Sequence, residues 1–176
     1  MSLSRNQTLA TLTFAIAALL GLAFVTKGRQ ALNGQQETYD DFLVRVNERV
    51  PGFGGMFIDS DGRLAVYLID PGLLPEARAA IEAVFGPSSV PPAGVRAVRG
   101  QYSIFQLKHW FDYANALLEM PGVAMVDLDE GKNRLTVGVE DTLKVRQVEQ
   151  ALGRLGVPRE SVNIDVLGPI VPGRPK

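Results

Sequence analysis

The feature that most limits how this chain can fold is an internal duplication. After residue 38 the pattern runs helix, strand, tight turn, strand, helix, strand, and it runs again about seventy residues later. Pro51-Gly52 corresponds to Pro121-Gly122, Arg63-Leu64-Ala65-Val66 to Arg134-Leu135-Thr136-Val137, and Gly86 to Gly156. One copy of roughly 65 residues lies near the lower size limit for an independent core, so the two copies are expected to pack on each other.

In the first copy, Tyr39, Phe42, Leu43, Val46 and Val50 recur at helical spacing. Thr38 and Asp41 resemble a capping box at the start of that helix, and Pro51-Gly52 stops it. Residues 56–59 and 63–69 read as strands joined by Ser60-Asp61-Gly62, because Asp-Gly tolerates the positive φ of a tight hairpin. Pro75 suits the first turn of a second helix that carries Ala77, Ala80, Ile81, Val84 and Phe85, and Gly86 fits its end. A proline-rich connector over 87–94 leads to a short third strand at 95–98.

The second copy repeats this order. Ser103 and Gln106 form a capping box ahead of a buried stripe of Ile104, Leu107, Phe111, Ala114 and Leu118. Strands 123–128 and 134–139 flank the turn Asp129-Glu130-Gly131-Lys132-Asn133. Val145, Val148, Leu152 and Leu155 mark the next helix, stopped by Gly156-Val157-Pro158, and 161–167 is the last strand. Leu135, Val137 and Val139 share one face, as do Val162, Ile164 and Val166, which gives a sheet with one buried and one wetter side. In the first copy both faces of 63–69 are apolar; the second copy or the chain's own connector is expected to supply the missing cover, with a partner-binding face as the alternative. The expected fold class is α+β: two tandem α-β-β-α-β units, each a small antiparallel sheet backed by helices, plus an N-terminal hydrophobic helix. The expected divisions are 1–30, 31–100 and 101–172, with a tail at 173–176.

Residues 9–25 carry no charge and follow Arg5. As a secretory signal peptide the segment has small residues, Gly21 and Ala23, at plausible cleavage positions. As a signal anchor it is at the short end of what spans a bilayer. Phe24 and Val25 prolong the apolar run past the cleavage positions, which favours the anchor. The expectation is a single-pass membrane protein with an extracytoplasmic body, or a periplasmic or secreted one if the leader is removed. Apart from Arg5, Lys27 and Arg29, the chain holds 15 basic and 19 acidic residues. That balance argues against a nucleic-acid partner, which calls for a basic surface. The absence of cysteine excludes disulfides, thiolate catalysis and cysteine-based metal sites.

Little in the sequence supports chemistry. His109 is the only histidine and lies on an amphipathic helix without a recognisable nucleophile motif elsewhere, so it reads as a helix-flank residue. Asp59 and Asp61 in one hairpin, and Asp127, Asp129 and Glu130 in the other, offer oxygens to hard cations. They lack calcium-loop spacing and read as solvated turn acids. Gly52-Phe53-Gly54-Gly55 lacks the lysine and the following helix of a phosphate cradle. Trp110, Phe111 and Tyr113 read as core, with Trp110 at the junction of the two copies. No catalytic, cofactor-binding or metal-ligating residue is assigned, and neither enzymatic activity nor a cofactor is expected.

The tandem unit resembles the prodomain of alpha-lytic-type serine proteases. The resemblance is strongest in Leu-Glu-Met-Pro-Gly-Val-Ala-Met-Val-Asp-Leu-Asp-Glu-Gly-Lys-Asn-Arg-Leu-Thr-Val-Gly-Val-Glu-Asp and the later Leu-Gly-Val-Pro, and it covers about residues 50–172. None of the 176 residues resembles the protease domain itself. The resemblance implies a non-catalytic chaperone or inhibitor that binds a protein partner, such as a secreted serine protease, by strand-edge addition. The contacts it implies are Ile164, Val166 and Leu167 on the last strand and Pro169, Ile170 and Val171 in the tail. The same order of elements also resembles the BON domain of cell-envelope proteins, which implies a structural module contacting membrane or scaffold proteins. KH RNA-binding modules are a looser likeness, disfavoured because their glycine loop joins two helices, whereas Gly52–Gly55 leads into a strand.

Overall fold

Both copies fold as the duplicated pattern demands. A computed structural model describes residues 37–168. Both repeats lie within one unit, which begins at Tyr39. The first repeat comprises α1 (Tyr39–Arg49), β1 (Phe53–Ile58), β2 (Leu64–Leu68), α2 (Leu74–Phe85) and β3 (Val95–Arg99). The second comprises α3 (Ile104–Ala114), β4 (Val123–Asp129), β5 (Arg134–Val139), α4 (Thr142–Arg154) and β6 (Val162–Val166).

Local signals account for the element ends. Ser103 and Gln106 close a full capping box on α3. Asp141 accepts the Leu143 N–H at the start of α4. Pro75 lies in the first turn of α2, where its missing N–H costs nothing. The Pro-Gly pairs act alike in both copies. Gly52 and Gly122 take positive φ, and their carbonyls accept the Ile69 and Glu140 N–H groups at 3.0 and 2.9 Å. Each first strand is bulged close behind that turn, between Phe53 and Met56 and between Val123 and Met125.

The sheets are ordered β1-β2-β3 and β4-β5-β6. The first two strands of each pair antiparallel, as expected of hairpins. The third strand of each runs parallel to the second, so the sheets are mixed and not wholly antiparallel. A helix between the two strands explains the direction: the chain crosses over through α2 or α4 and re-enters the sheet from the same end. Side-chain alternation fixes which face a strand buries but says nothing of which way it runs.

The helices and the inward sheet faces build one hydrophobic core that includes Leu43, Phe53, Leu68 and Ile81 of the first repeat and Leu107, Leu117, Leu135 and Leu152 of the second. Helix α3 packs against β4 and β5 of its own repeat and also against β1 and α1 of the other. The α3 stripe buries Ile104, Leu107 and Ala114 as expected. Leu118 is 49% exposed, however, and Leu117 is buried in its place. The α-helix ends at Ala114 and continues as a 3-10 turn over Asn115–Glu119. The tighter winding advances the buried position by one residue.

Asn133 locks the two repeats together. It sits in the β4–β5 turn with φ of 53°, a left-handed conformation that asparagine tolerates, and it is 1% exposed. Its Nδ2 donates to the carbonyls of Gly54 and Tyr102, each at 2.8 Å. Its Oδ1 accepts from the N–H groups of Gln101 at 2.8 Å and Tyr102 at 3.1 Å. Nearby, the Tyr67 hydroxyl donates to the Gly131 carbonyl at 3.1 Å. The second hairpin thus covers one end of the outer face of the first sheet, where β2 is apolar on both sides. Gly54 makes the approach possible: a Cβ there would lie 2.5 Å from the Tyr102 carbonyl oxygen and 2.6 Å from the Asn133 Nδ2.

The membrane expectation requires correction. No helix among the described residues is long and apolar enough to cross a membrane. The longest of them, α4, has 13 residues and spans about 20 Å against a hydrocarbon layer of about 30 Å. The signal anchor, the membrane contact and the single-pass location were placed on residues 9–25, which lie outside the described residues. Those assignments are not retained.

Candidate functional site

The strand on which partner contacts were expected, β6, forms one edge of the second sheet. Its N–H and C=O groups alternate in direction, as in any strand. Leu167 donates to the Val139 carbonyl at 2.8 Å, so the alternation turns Asn163 and Asp165 toward β5 as well. Val162, Ile164 and Val166 then present their main-chain groups outward. At Val162 the outward carbonyl already accepts from Arg159 Nη1 at 2.6 Å. Ile164 and Val166 make up the rest of the edge.

Side chains at this end of the sheet are exposed and apolar. Ile164 is half-buried among the core residues, whereas Val166 and Leu167 are 49% and 53% exposed. Leu167 lies over Gly138, where a Cβ would come within 2.4 Å of Leu167 Cδ1 and 2.6 Å of Met125 Cγ. Leu143, in the first turn of α4, is a further exposed apolar side chain where β5 ends. The structure therefore brings Ile164, Val166 and Leu167 together along one edge. Pro169, Ile170 and Val171 lie outside the described residues.

The other sheet edges are guarded. The outer strands β1 and β4 are bulged near their starts, and bulges discourage further pairing. On β3, Arg96 reaches across the hairpin to bond Asp59. That bond holds the Asp59 carboxyl below the usual carboxylate range, against the opposing effect of burial and with help from the N–H groups of Arg63 and Asp61. Asp59 is a hairpin clamp: its Oδ1 accepts those N–H groups at 3.0 and 2.9 Å. In the second hairpin Asp129 binds Lys132 at 2.8 Å and accepts from the Thr136 hydroxyl at 3.2 Å. No group of acids or histidine suited to holding a metal occurs among the described residues.

A groove of about 300 Å³ lies between α1 and α3, lined by Asp41, Val44, Phe105, Lys108, His109 and Asp112. His109 is exposed here, edge-on to Tyr113 with ring centroids 4.9 Å apart. Lys108 bonds Asp112 at 2.8 Å, and that contact raises its ammonium pKa, with further help from Asp40 and Asp41 and against burial. Burial raises the Asp40 carboxyl, opposed by Lys108 and reinforced by Asp41, Asp127 and Asp112. Burial also raises Glu130, partly offset by a backbone hydrogen bond and reinforced by Asp40, Asp127 and Asp129. Trp110 stands edge-on to Tyr102 at 5.1 Å, within the segment that Asn133 binds.

Sequence reasoning missed two of these residues. Phe105 was passed over because it falls off the buried stripe of α3. A large aromatic at a position that the helical period turns outward was the signal. Asn133 was read as a turn residue, and its partners lie up to 79 positions away. No family model and no curated protein matches the chain.

Proposed function

We propose that this chain is a non-catalytic protein-binding module that adds an extended segment of a partner to the edge of β6, which pairs with no further strand among the described residues. The outward main-chain groups of Ile164 and Val166, set beside the exposed side chains of Val166 and Leu167, carry this reading. Backbone hydrogen bonds supply affinity in such an arrangement, and neighbouring apolar side chains select alternate positions of the added strand. Arg159 closes the start of β6, so the added segment pairs along its C-terminal half. The resemblance to protease prodomains directs the first choice of partner to trypsin-like serine proteases, which the module would inhibit or assist in folding.

Val166→Pro provides the test. Proline removes the outward N–H of residue 166 and leaves the ladder to β5 in place, as edge strands allow. Asp165→Pro removes an N–H that bonds β5 and should instead destabilise the sheet. The full chain is mixed with a panel of trypsin-like proteases, and complex formation, inhibition, refolding yield and amide exchange of residues 162–167 are followed. The proposal expects a complex that protects Ile164 and Val166 and is lost in Val166→Pro at unchanged melting temperature. A complex with every such protease that is indifferent to Val166→Pro would refute edge addition; no complex, inhibition or refolding effect would refute the prodomain role.

A further inference from the structure

Asp165 stands in the middle of the β6 edge, between Ile164 and Val166, and is exposed. Among the described residues its carboxylate makes no ion pair or hydrogen bond. Its neighbour across the ladder is Gly138, which has no side chain to offer it. Leu167 Cδ1 and Met125 Cγ, both apolar, fill the space over that glycine. Lys132 lies within range of the Asp165 charge, but its ammonium bonds Asp129 at 2.8 Å. The Asp129 hydrogen bond and charge come first in raising the Lys132 ammonium, against desolvation, and Asp165 only adds to them. The side left to Asp165 is the one away from β5, where an added strand lies.

The main chain fixes what stands opposite this carboxylate. Arg159 engages both main-chain groups of Val162, accepting its N–H and donating to its carbonyl. Gly168 takes φ of 81°, which ends the extended run. Ile164 and Val166 are therefore the two residues whose outward groups an added strand can use. An antiparallel strand bonded to both places one residue directly opposite Asp165, at a position without hydrogen bonds where facing Cα atoms are about 4.5 Å apart. Opposite charges stabilise such a pair and like charges destabilise it. A second copy of β6 in this register sets Asp165 against Asp165. Centring the copies on Ile164 instead sets Val166 against Val162, whose groups are taken, and centring them on Val166 sets Ile164 against Gly168, where the strand has ended.

We propose that Asp165 determines which strand the β6 edge accepts: a partner segment with lysine or arginine opposite Asp165, flanked by apolar residues that meet Ile164 and Val166, is taken, and β6 of a second copy is refused. This inference rests on edge addition at β6 and supplies the chemistry of the added strand.

The full chain is titrated with short blocked peptides centred on valine–lysine–valine or on valine–glutamate–valine, and backbone amide shifts are followed. The lysine peptide should give saturable shifts at residues 163–167 and bind about threefold to tenfold more tightly than the glutamate peptide, the range of one charged cross-strand pair. Asp165→Lys should reverse the order of the two peptides, which a loss of structure alone would not do. In sedimentation velocity Asp165→Thr should form a larger species than the parent chain, and adding Val166→Pro should restore the parent's behaviour. Thermal melts of the variants check that the fold is kept. Equal binding of both peptides at residues 163–167, or an order that Asp165→Lys leaves unchanged, overturns the role of Asp165 while edge addition stands. Absence of shifts at residues 163–167 with either peptide overturns edge addition and this inference together. An Asp165→Thr variant that sediments as the parent does overturns the refusal of a second copy.

Discussion

Replacing Asn133 by alanine should cost more than any other change at a turn in this protein. Four main-chain groups face its side chain amide: the carbonyls of Gly54 and Tyr102 and the N–H groups of Gln101 and Tyr102. A net hydrogen bond contributes about 1 kcal/mol, and a buried polar group left without a partner costs about 1–3 kcal/mol. Some of the four regain water, because the Gln101–Tyr102 segment is only partly buried. We therefore expect a loss of about 3–5 kcal/mol from the contacts, plus about 1 kcal/mol for placing alanine at positive φ. Asn133→Gly removes the backbone penalty and should recover about 1 kcal/mol of the loss. Asn133→Asp is the sharper probe. It keeps the acceptor toward the N–H groups but sets an oxygen against two carbonyls at 2.8 Å. Its deficit should shrink on acidification, as the carboxyl gains a proton it can donate to one of those carbonyls. Urea unfolding of the full chain, with midpoint and slope compared at neutral and acidic pH, provides the measurement. A loss below about 1 kcal/mol in Asn133→Ala, or an Asn133→Asp variant whose deficit is indifferent to pH, would show that the lock is not energetic.

Gly54→Ala should destabilise by about 2–4 kcal/mol, since its Cβ would meet main-chain oxygen and the Asn133 amide inside van der Waals contact; thermal melts report it. Leu107→Ala should cost about 2–5 kcal/mol in urea unfolding, because this wholly buried side chain sits on the helix shared by both sheets. Asp40 and Glu130 bind protons more tightly folded than unfolded. Their effect favours the fold below the ordinary carboxylate pKa and is lost as pH rises through the raised values. Asp40→Asn should therefore raise the urea midpoint at neutral pH and flatten its decline with pH. Asp59 acts with the opposite sign. Its stabilisation is present above the ordinary carboxylate range and is lost as pH falls through its lowered value, so Asp59→Asn should lower the neutral-pH midpoint and weaken acid sensitivity.

Short-range physics made most of the architecture legible. The Asp-Gly turn and the capping box at Ser103 and Gln106 each specify a conformation within a few residues, and each found its place; the wetter face expected of β5 did not, since Thr136 and Gly138 are buried along with Leu135, Val137 and Val139 in this central strand. What was not legible depends on distance along the chain. The face of β6 was readable from Val162, Ile164 and Val166, but its direction depended on the crossover through α4. The slip from Leu118 to Leu117 arose from a change of helical pitch that apolar spacing does not announce. The contacts at Ile164 and Val166 were suggested by a resemblance and not by any local pattern. The groove at Phe105 needed the position of α1 beside α3, which no local pattern supplies.

Helix α3 belongs by sequence to the second repeat and by packing to both. A chain severed between Gly100 and Gln101 would yield two fragments, each lacking part of its interior. The upstream piece would lose the helix that now lies on β1 and α1. The downstream piece would carry that same helix with one side stripped of cover. Duplication has thus made neither descendant self-sufficient, and fragments co-expressed from separate messages should either find each other and reconstitute the parent or precipitate singly.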